Sequence, residues 1–445
     1  MWENFPKDVL SDICLRLPTK TLVICACTCK TLLSFITSPE FMASHNKKSK
    51  DKPFTLLRYY IEGEKSSKEY FALHPDNGFS ESNLMFRELP AKFRRCNRCF
   101  NFVGSCNGVI CLSDDISSYT NVIYLWNPSI RKAVEVPYPN FTFGPCGPYD
   151  MCVGFGFDEL TNDYKVVRLV YLENGWQPNQ LPPLVEVYSV NSGSWRTITA
   201  SRPMYYVRHM FMFSRDQESY SQCYLNGYVH WPGFIIQPKK GAHSLEEVWR
   251  VIVTFNVRDE FFGEMKLPPC LEGSSNGSIK LKVTVCCDML SLILISDGKC
   301  DFSIWVMKEY GNMDSWTQSF RFNNPAGYPV PRALYFRENE NLLILASGCC
   351  YNWRSKNALR VLSVDCVRDQ KEVLETLEGE LKGLYLGSYR EGLALFNEGK
   401  TVQDDEVKDE VRVDELNAGR ILSKNLPCGC DIAKVILNLK IEHLQ

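Results

Sequence analysis

The chain has 445 residues, room for two or three domains, and its 45% apolar and 23% charged residues are ordinary for a globular protein. A net charge of −2 gives no electrostatic reason to expect nucleic acid or a membrane surface as partner. No apolar run approaches the ~20 residues of a membrane helix. The opening MWENFPKD lacks the basic start and apolar core of a signal peptide, so the 20 cysteines are expected to be reduced thiols in the cytoplasm or nucleus.

Residues 1–45 read as a small all-α module. Pro6 suits the start of a first helix and Asp8 its first turn, while Val9, Leu10, Ile13 and Leu17 recur at helical spacing as one apolar stripe. Leu17-Pro18 stops that helix, and Thr19 is placed to cap a second carrying Leu22, Val23 and Ile24. A third, from about Thr28, carries Leu32, Leu33 and Ile36; Ser38-Pro39-Glu40 opens a last short helix through Met42. A unit of ~40 residues rarely buries enough surface to fold alone. Its apolar positions point in more than one direction, so they either face another protein or pack on the rest of the chain.

The polar stretch HNKKSKDK follows, and 46–52 reads as a solvated linker rather than a nuclear-targeting patch. From 53 to about 400 the texture is all-β: short β-prone runs separated by Gly, Pro and Asn. A repeat runs through it. Segments 122–137, 185–199, 251–268, 301–320 and 358–377 each read as strand, polar turn, strand, in steps of roughly 50 to 66 residues. A second β run precedes several of them, as in 153–171, 221–233, 283–297 and 333–348. Two adjacent hairpins per period make a four-stranded blade, and blades must stack around an axis to cover their apolar faces. About six blades are expected, with 383–396 supplying strands that close the ring against a first blade near 54–90. Residues 401–445 read as an acidic tail with a short C-terminal helix over 431–444.

The chemistry-bearing residues point to no reaction. Cys96-x-x-Cys99, with Cys106 and Cys111 downstream, has part of a zinc spacing, but no matching Cys/His set follows. The six histidines fall in no nucleophile–base arrangement, and no P-loop, G-x-S-x-G or H-E-x-x-H is present. No cofactor and no metal are therefore expected. The basic cluster Lys92, Arg94, Arg95 and Arg98 reads as a solvated loop before it reads as a site for an acidic partner.

Two sets of motifs carry a resemblance. Phe5-Pro6, Asp8-Val9-Leu10, Ile13, Arg16-Leu17-Pro18-Thr19-Lys20-Thr21-Leu22, Cys27, Cys29-Lys30 and Ser38-Pro39-Glu40-Phe41 resemble the F-box of plant F-box proteins. Phe5 stands in place of the usual Leu, Ile24-Cys25-Ala26 in place of Arg-Phe-Arg, and Leu32 in place of Trp. In the body, Gly104-Ser105-Cys106-Asn107-Gly108, Leu125-Trp126-Asn127-Pro128-Ser129, Gly154-Phe155-Gly156-Phe157-Asp158, Asp163-Tyr164-Lys165-Val166-Val167 and Ser194-Trp195-Arg196 resemble the F-box-associated, kelch-like domain of the same proteins.

The resemblance implies a non-catalytic, substrate-recognition subunit of an SCF-type ubiquitin ligase. Its F-box would bind a Skp-family adaptor and, through it, a cullin, while the β-propeller binds an unidentified protein target. Carried onto this chain, the adaptor-binding residues are Phe5, Pro6, Val9, Leu10, Ile13, Leu17, Pro18, Lys20, Leu22, Cys29 and Lys30, with Leu10→Asp expected to abolish binding. The target-binding residues are not readable. The alternative is a protein-binding scaffold with a divergent F-box and no ligase role; an enzyme built on the propeller ranks behind both.

Overall fold

Four helices open the chain in a computed structural model that describes residues 6–49, 54–61, 68–75, 85–87, 100–114, 119–173, 182–207, 222–238, 246–271, 279–296, 302–322, 330–336, 341–347, 359–365, 370–377 and 381–395. Phe5, the 92–98 basic cluster with Cys96, Cys99, the acidic tail and the 431–444 helix lie outside the described residues. Helix α1 (Lys7–Arg16) ends as Leu17 turns extended ahead of Pro18. Helix α2 (Thr19–Thr28) takes Pro18, not Thr19, at its cap position. Thr19 is freed for a long-range contact described below. Helix α3 (Lys30–Ile36) begins two residues later than the sequence suggests, because the Cys29 thiol accepts the Leu32 N–H and serves as its cap. Helix α4 (Pro39–Ser49) is opened by Ser38, whose hydroxyl accepts the Phe41 N–H, and by Pro39 in the first turn. It runs to Ser49 rather than Met42, so 46–49 are helix and not linker: Phe41 and His45, one turn apart, are both buried and pin the extra turn.

Among the described residues the body is six sheets. The first holds β1 (Phe54–Ile61), β2 (Lys68–Pro75) and β3 (Met85–Arg87). The second holds β4 (Asn101–Cys106), β5 (Val109–Ser113), β6 (Ile123–Asn127) and β7 (Lys132–Glu135). The third holds β8 (Tyr149–Asp158), β9 (Asp163–Leu172), β10 (Leu184–Ser189) and β11 (Ser194–Ile198). The fourth holds β12 (Tyr206–Val207), β13 (Cys223–Leu225), β14 (Tyr228–Pro238), β15 (Glu246–Asn256) and β16 (Phe262–Met265). The fifth holds β17 (Ile279–Cys286), β18 (Met289–Ser296), β19 (Phe302–Met307) and β20 (Trp316–Phe322). The sixth holds β21 (Val330–Phe336), β22 (Asn341–Ser347), β23 (Leu359–Asp365) and β24 (Gln370–Leu377). The strand β25 (Leu381–Tyr389) returns to pair antiparallel with β1, so the last strand completes the first sheet.

This is a β-propeller with the six-sheet count the repeat implies. The five repeated segments are the outer hairpins β6–β7, β10–β11, β15–β16, β19–β20 and β23–β24. The fourth blade adds the short β12, which pairs with Phe234 and Gly233 of β14, beyond the expected four strands. Among the described residues of 383–396 there is one strand, and beyond Tyr389 the chain leaves the sheet. Strands β21, β25, β4 and β8, each at the edge of its sheet, contact one another in that order around the ring, so these are inner strands.

Between successive blades lie separate apolar cores. Leu56, Phe71 and Leu73 meet Phe102, Ile110 and Trp126 between the first two blades. Val109 and Leu125 meet Phe155 and Val166 across the next junction, and Leu169 and Val187 meet Val229, Trp231 and Val253 across the third. Cores around Leu290, Ile304 and Leu343 close the circle. The alternating pattern of each strand thus serves two different cores, one per face. Asn107-Gly108 turns β4 into β5 with φ of 46° and 84°, the left-handed pair a two-residue hairpin needs; Asn226-Gly227 does the same between β13 and β14.

Candidate docking surfaces

In the helical module, Leu10, Cys14, Leu22, Ala26, Leu32, Ile36 and Phe41 form one core. Packing of α1 against α4 and of α2 against α3 leaves an outer face. Val9 and Ile13, one turn apart on α1, are each 45% exposed, and Ile24 on α2 is 57% exposed. Pro6, Pro18, Lys20 and Lys30 are exposed as well, whereas Leu17 and Cys29 are half-buried. Asp12 and Arg16 pair at 2.9 Å beside Ile13.

The residues read from the sequence therefore separate into two groups. Val9, Ile13, Lys20 and Lys30 present side chains outward. Leu10 and Leu22, at 5% and 0% exposure, lie inside the module and hold the helices together. Leu10→Asp would place a carboxylate in that core and is expected to unfold the module, so loss of binding by that variant would not locate a surface. Ile24, which the sequence flags only as a departure from the family pattern, is more exposed than Val9 or Ile13. Its spacing from Lys20 on α2 was the available signal.

The opposite side of the module rests on the propeller. Leu393, in the segment after β25, enters the helical core at 1% exposure, and Ile130 from the β6–β7 turn packs beside it. Met42 of α4 reaches the core shared by the second and third blades. The Thr19 hydroxyl donates to Glu391 Oε2 at 3.0 Å. Of the two alternatives for the apolar helices, packing on the rest of the chain is the one observed.

Among the described residues, the following charged and polar side chains of the ring have structural partners. Arg168 and Glu186, both fully buried, pair at 2.6 Å; the guanidinium also donates to Phe141 O, Asn121 Oδ1 and the Tyr149 hydroxyl, and Glu186 Oε2 accepts the Asn140 N–H. Arg58 is bound by Glu69 and by the Phe100 carbonyl. Lys165 ties the β8–β9 and β15–β16 turns by donating to Val257 O at 2.9 Å and Glu260 at 3.0 Å, with Asp158 at 3.6 Å. Hydrogen bonds from Thr161 and Leu160, with the Lys165 charge, hold the Asp158 carboxyl below its usual range against the opposing effect of its burial. His230 is buried with Nε2 2.9 Å from the Tyr310 hydroxyl, and desolvation lowers its pKa to about 4. Burial pushes the Cys152 thiol up to about 12, and Cys111 and Cys223 higher still, so these are inert packing groups. Among the described residues no group of three or more His, Cys, Asp or Glu side chains could hold a metal ion.

Comparison with known proteins accords with this arrangement. Residues 79–381 match the F-box associated beta propeller domain, and residues 2–44 match the F-box domain. An F-box protein of Arabidopsis thaliana is 26% identical over 392 residues, covering 84% of this chain and 82% of its own length. An F-box/kelch-repeat protein of the same plant is 27% identical over 393 residues, covering 84% and 95%. Among solved structures, an oligogalacturonate lyase in complex with manganese aligns over 68% of this chain and 70% of its own at 10% identity, with a TM-score of 0.35, too low to bear on function.

Proposed function

Because the chain belongs to the F-box proteins that carry an F-box associated beta propeller domain, we propose that it is the substrate-recognition subunit of an SCF-type ubiquitin ligase, its helices docking a Skp-family adaptor and its ring holding a target protein. One observation carries the docking half: Val9, Ile13 and Ile24 stay exposed on a module whose other side is covered by the ring. Apolar side chains that remain outside after the chain has covered what it can are what a second protein would bury. Lys20 and Lys30 form the charged rim of that surface.

Such a subunit needs no reacting residue of its own. It holds the target beside a ubiquitin-charged enzyme, so that transfer proceeds as if intramolecular. Strand direction sorts the turns of the ring onto two faces, and the target is proposed for the one away from the helices. In a four-stranded antiparallel blade the first and third turns leave by one face, and the middle turn and the link to the next blade by the other. The helices stand on the face bearing the β4–β5 and β6–β7 turns. The target is assigned to the opposite face, which carries the β5–β6 and β7–β8 connections.

The test is co-purification of the full chain with a Skp-family adaptor and cullin, beside a Val9→Asp/Ile13→Asp double variant whose helical circular dichroism is checked first. Assembly by the wild type and at least a hundredfold weaker binding by the folded variant is expected. Wild-type failure to bind would favour the second reading, a scaffold with a divergent F-box, which the exposed Ile24 in place of the family's usual Arg supports.

A further inference from the structure

The Asn127-Pro128-Ser129 and Asn107-Gly108 motifs are not used by the docking surface, yet both converge on the segment that follows the ring-closing strand. After Tyr389 the chain crosses the second blade. Asn127, fully buried at the end of β6, donates from Nδ2 to Gly392 O at 2.9 Å and to Ala394 O at 3.0 Å. Its Oδ1 accepts the Ser129 and Ile130 N–H groups, which shapes its own turn. One side chain therefore builds the β6–β7 turn and grips a segment some 265 residues away.

The neighbouring turn completes the grip. Gly392 lies against Asn107 and Gly108 so closely that a Cβ on either glycine would overlap the other backbone. The Tyr389 hydroxyl is bonded to Gly108 O and Ser129 Oγ. Tyr164 donates to Asn107 O, and Arg390 pairs with Asp288 of the fifth blade at 3.1 Å. Held this way, the segment turns its alternate side chains into the helices: Glu391 to Thr19, Leu393 into the core around Leu10, Leu22 and Phe41.

We propose that residues 390–395 are a clamp that makes the docking module and the propeller one body, with Asn127 its anchor on the ring and Leu393 its insert in the helices. The strand that closes the ring continues directly into the residue that completes the helical core. Ring closure and seating of the module are thereby a single event. The helices, too few to bury their own core, gain the missing side chain from the far end of the chain. The proposal does not depend on which adaptor or target binds.

Hydrogen exchange on the full chain, with and without single changes, tests it. Leu393→Ala removes the insert and leaves every hydrogen bond between the clamp and the ring in place. Asn127→Asp keeps an oxygen for the Ser129 and Ile130 N–H groups but turns the other toward two carbonyls, so it releases the clamp while touching no helix. Each is expected to speed exchange across α1–α4 at least tenfold, with β8–β11 unchanged. Unchanged helical exchange in both variants would overturn the clamp. An equal rise in β8–β11 would do so too, since that is general loss of ring stability. A rise with Leu393→Ala alone would remove Asn127 as its anchor.

Discussion

The helical module and the propeller solve the same problem, covering apolar surface, in opposite ways. Each blade is covered by its two neighbours, and six repetitions leave no blade without one. The four helices have no such neighbours. They borrow Leu393 and Ile130 on one side and leave Val9, Ile13 and Ile24 uncovered on the other. A region that shares its core with itself is stable before anything binds. A region whose core is lent to it by distant residues is held in place by the rest of the chain and keeps one face for a partner.

The largest test of this contrast lies in the ring. Arg168→Ala leaves Glu186 charged and unpaired in full burial, and about 3–5 kcal/mol of unfolding free energy should disappear in a urea titration. The Arg168→Met/Glu186→Leu double variant should recover most of it. A loss no smaller than that of Arg168→Ala would show that the pair is held by more than its own charges.

Within the helices, Leu22→Ala should cost about 2–5 kcal/mol, seen first as lost helical exchange protection, because a fully buried side chain leaves a cavity. Val9→Ala should change stability by less than about 0.5 kcal/mol while weakening partner binding. If Val9→Ala instead destabilises the helices as much as Leu22→Ala, the outer face is not free.

Acid should act on both regions through two buried histidines. Desolvation lowers the pKa of His45 in α4, with Lys48 adding repulsion, and that of His230 in the ring, each to about 4 against an ordinary 6.5. The unfolded chain therefore binds more protons than the folded one between those values. The stabilisation from each neutral imidazole is fully present above about pH 6.5 and fades as pH falls toward 4, on the order of 1–3 kcal/mol apiece. Denaturation midpoints from pH 7.5 to 4.5 should fall, and His45→Gln should flatten the fall for the helices while leaving the ring's dependence intact. At the small end, Arg16→Ala, which removes the exposed pair with Asp12, should shift stability by less than about 0.5 kcal/mol.

Much of the architecture was legible from short-range pattern. The repeat marked five outer hairpins, Asn-Gly marked the β4–β5 turn, and Leu17-Pro18 marked the break between α1 and α2, because each depends on residues two to four positions apart. Thr19 differs from its local pattern for the same reason: neighbouring residues offer it a cap's role, but Pro18 holds the cap position and the Thr19 hydroxyl donates to Glu391, 372 residues on. Residue pattern along the chain suffices to place a helical unit ahead of a ring of hairpins and to group Val9, Leu10, Ile13 and Leu17 as one apolar stripe. Tertiary structure alone decided which of these face inward, since the stripe on α1 is wider than the core it meets and the choice falls to the angle at which α4 and Leu393 approach. It decided also that Asn127 holds a segment from the other end of the chain, because no periodicity relates residues brought together only when the last strand closes the ring.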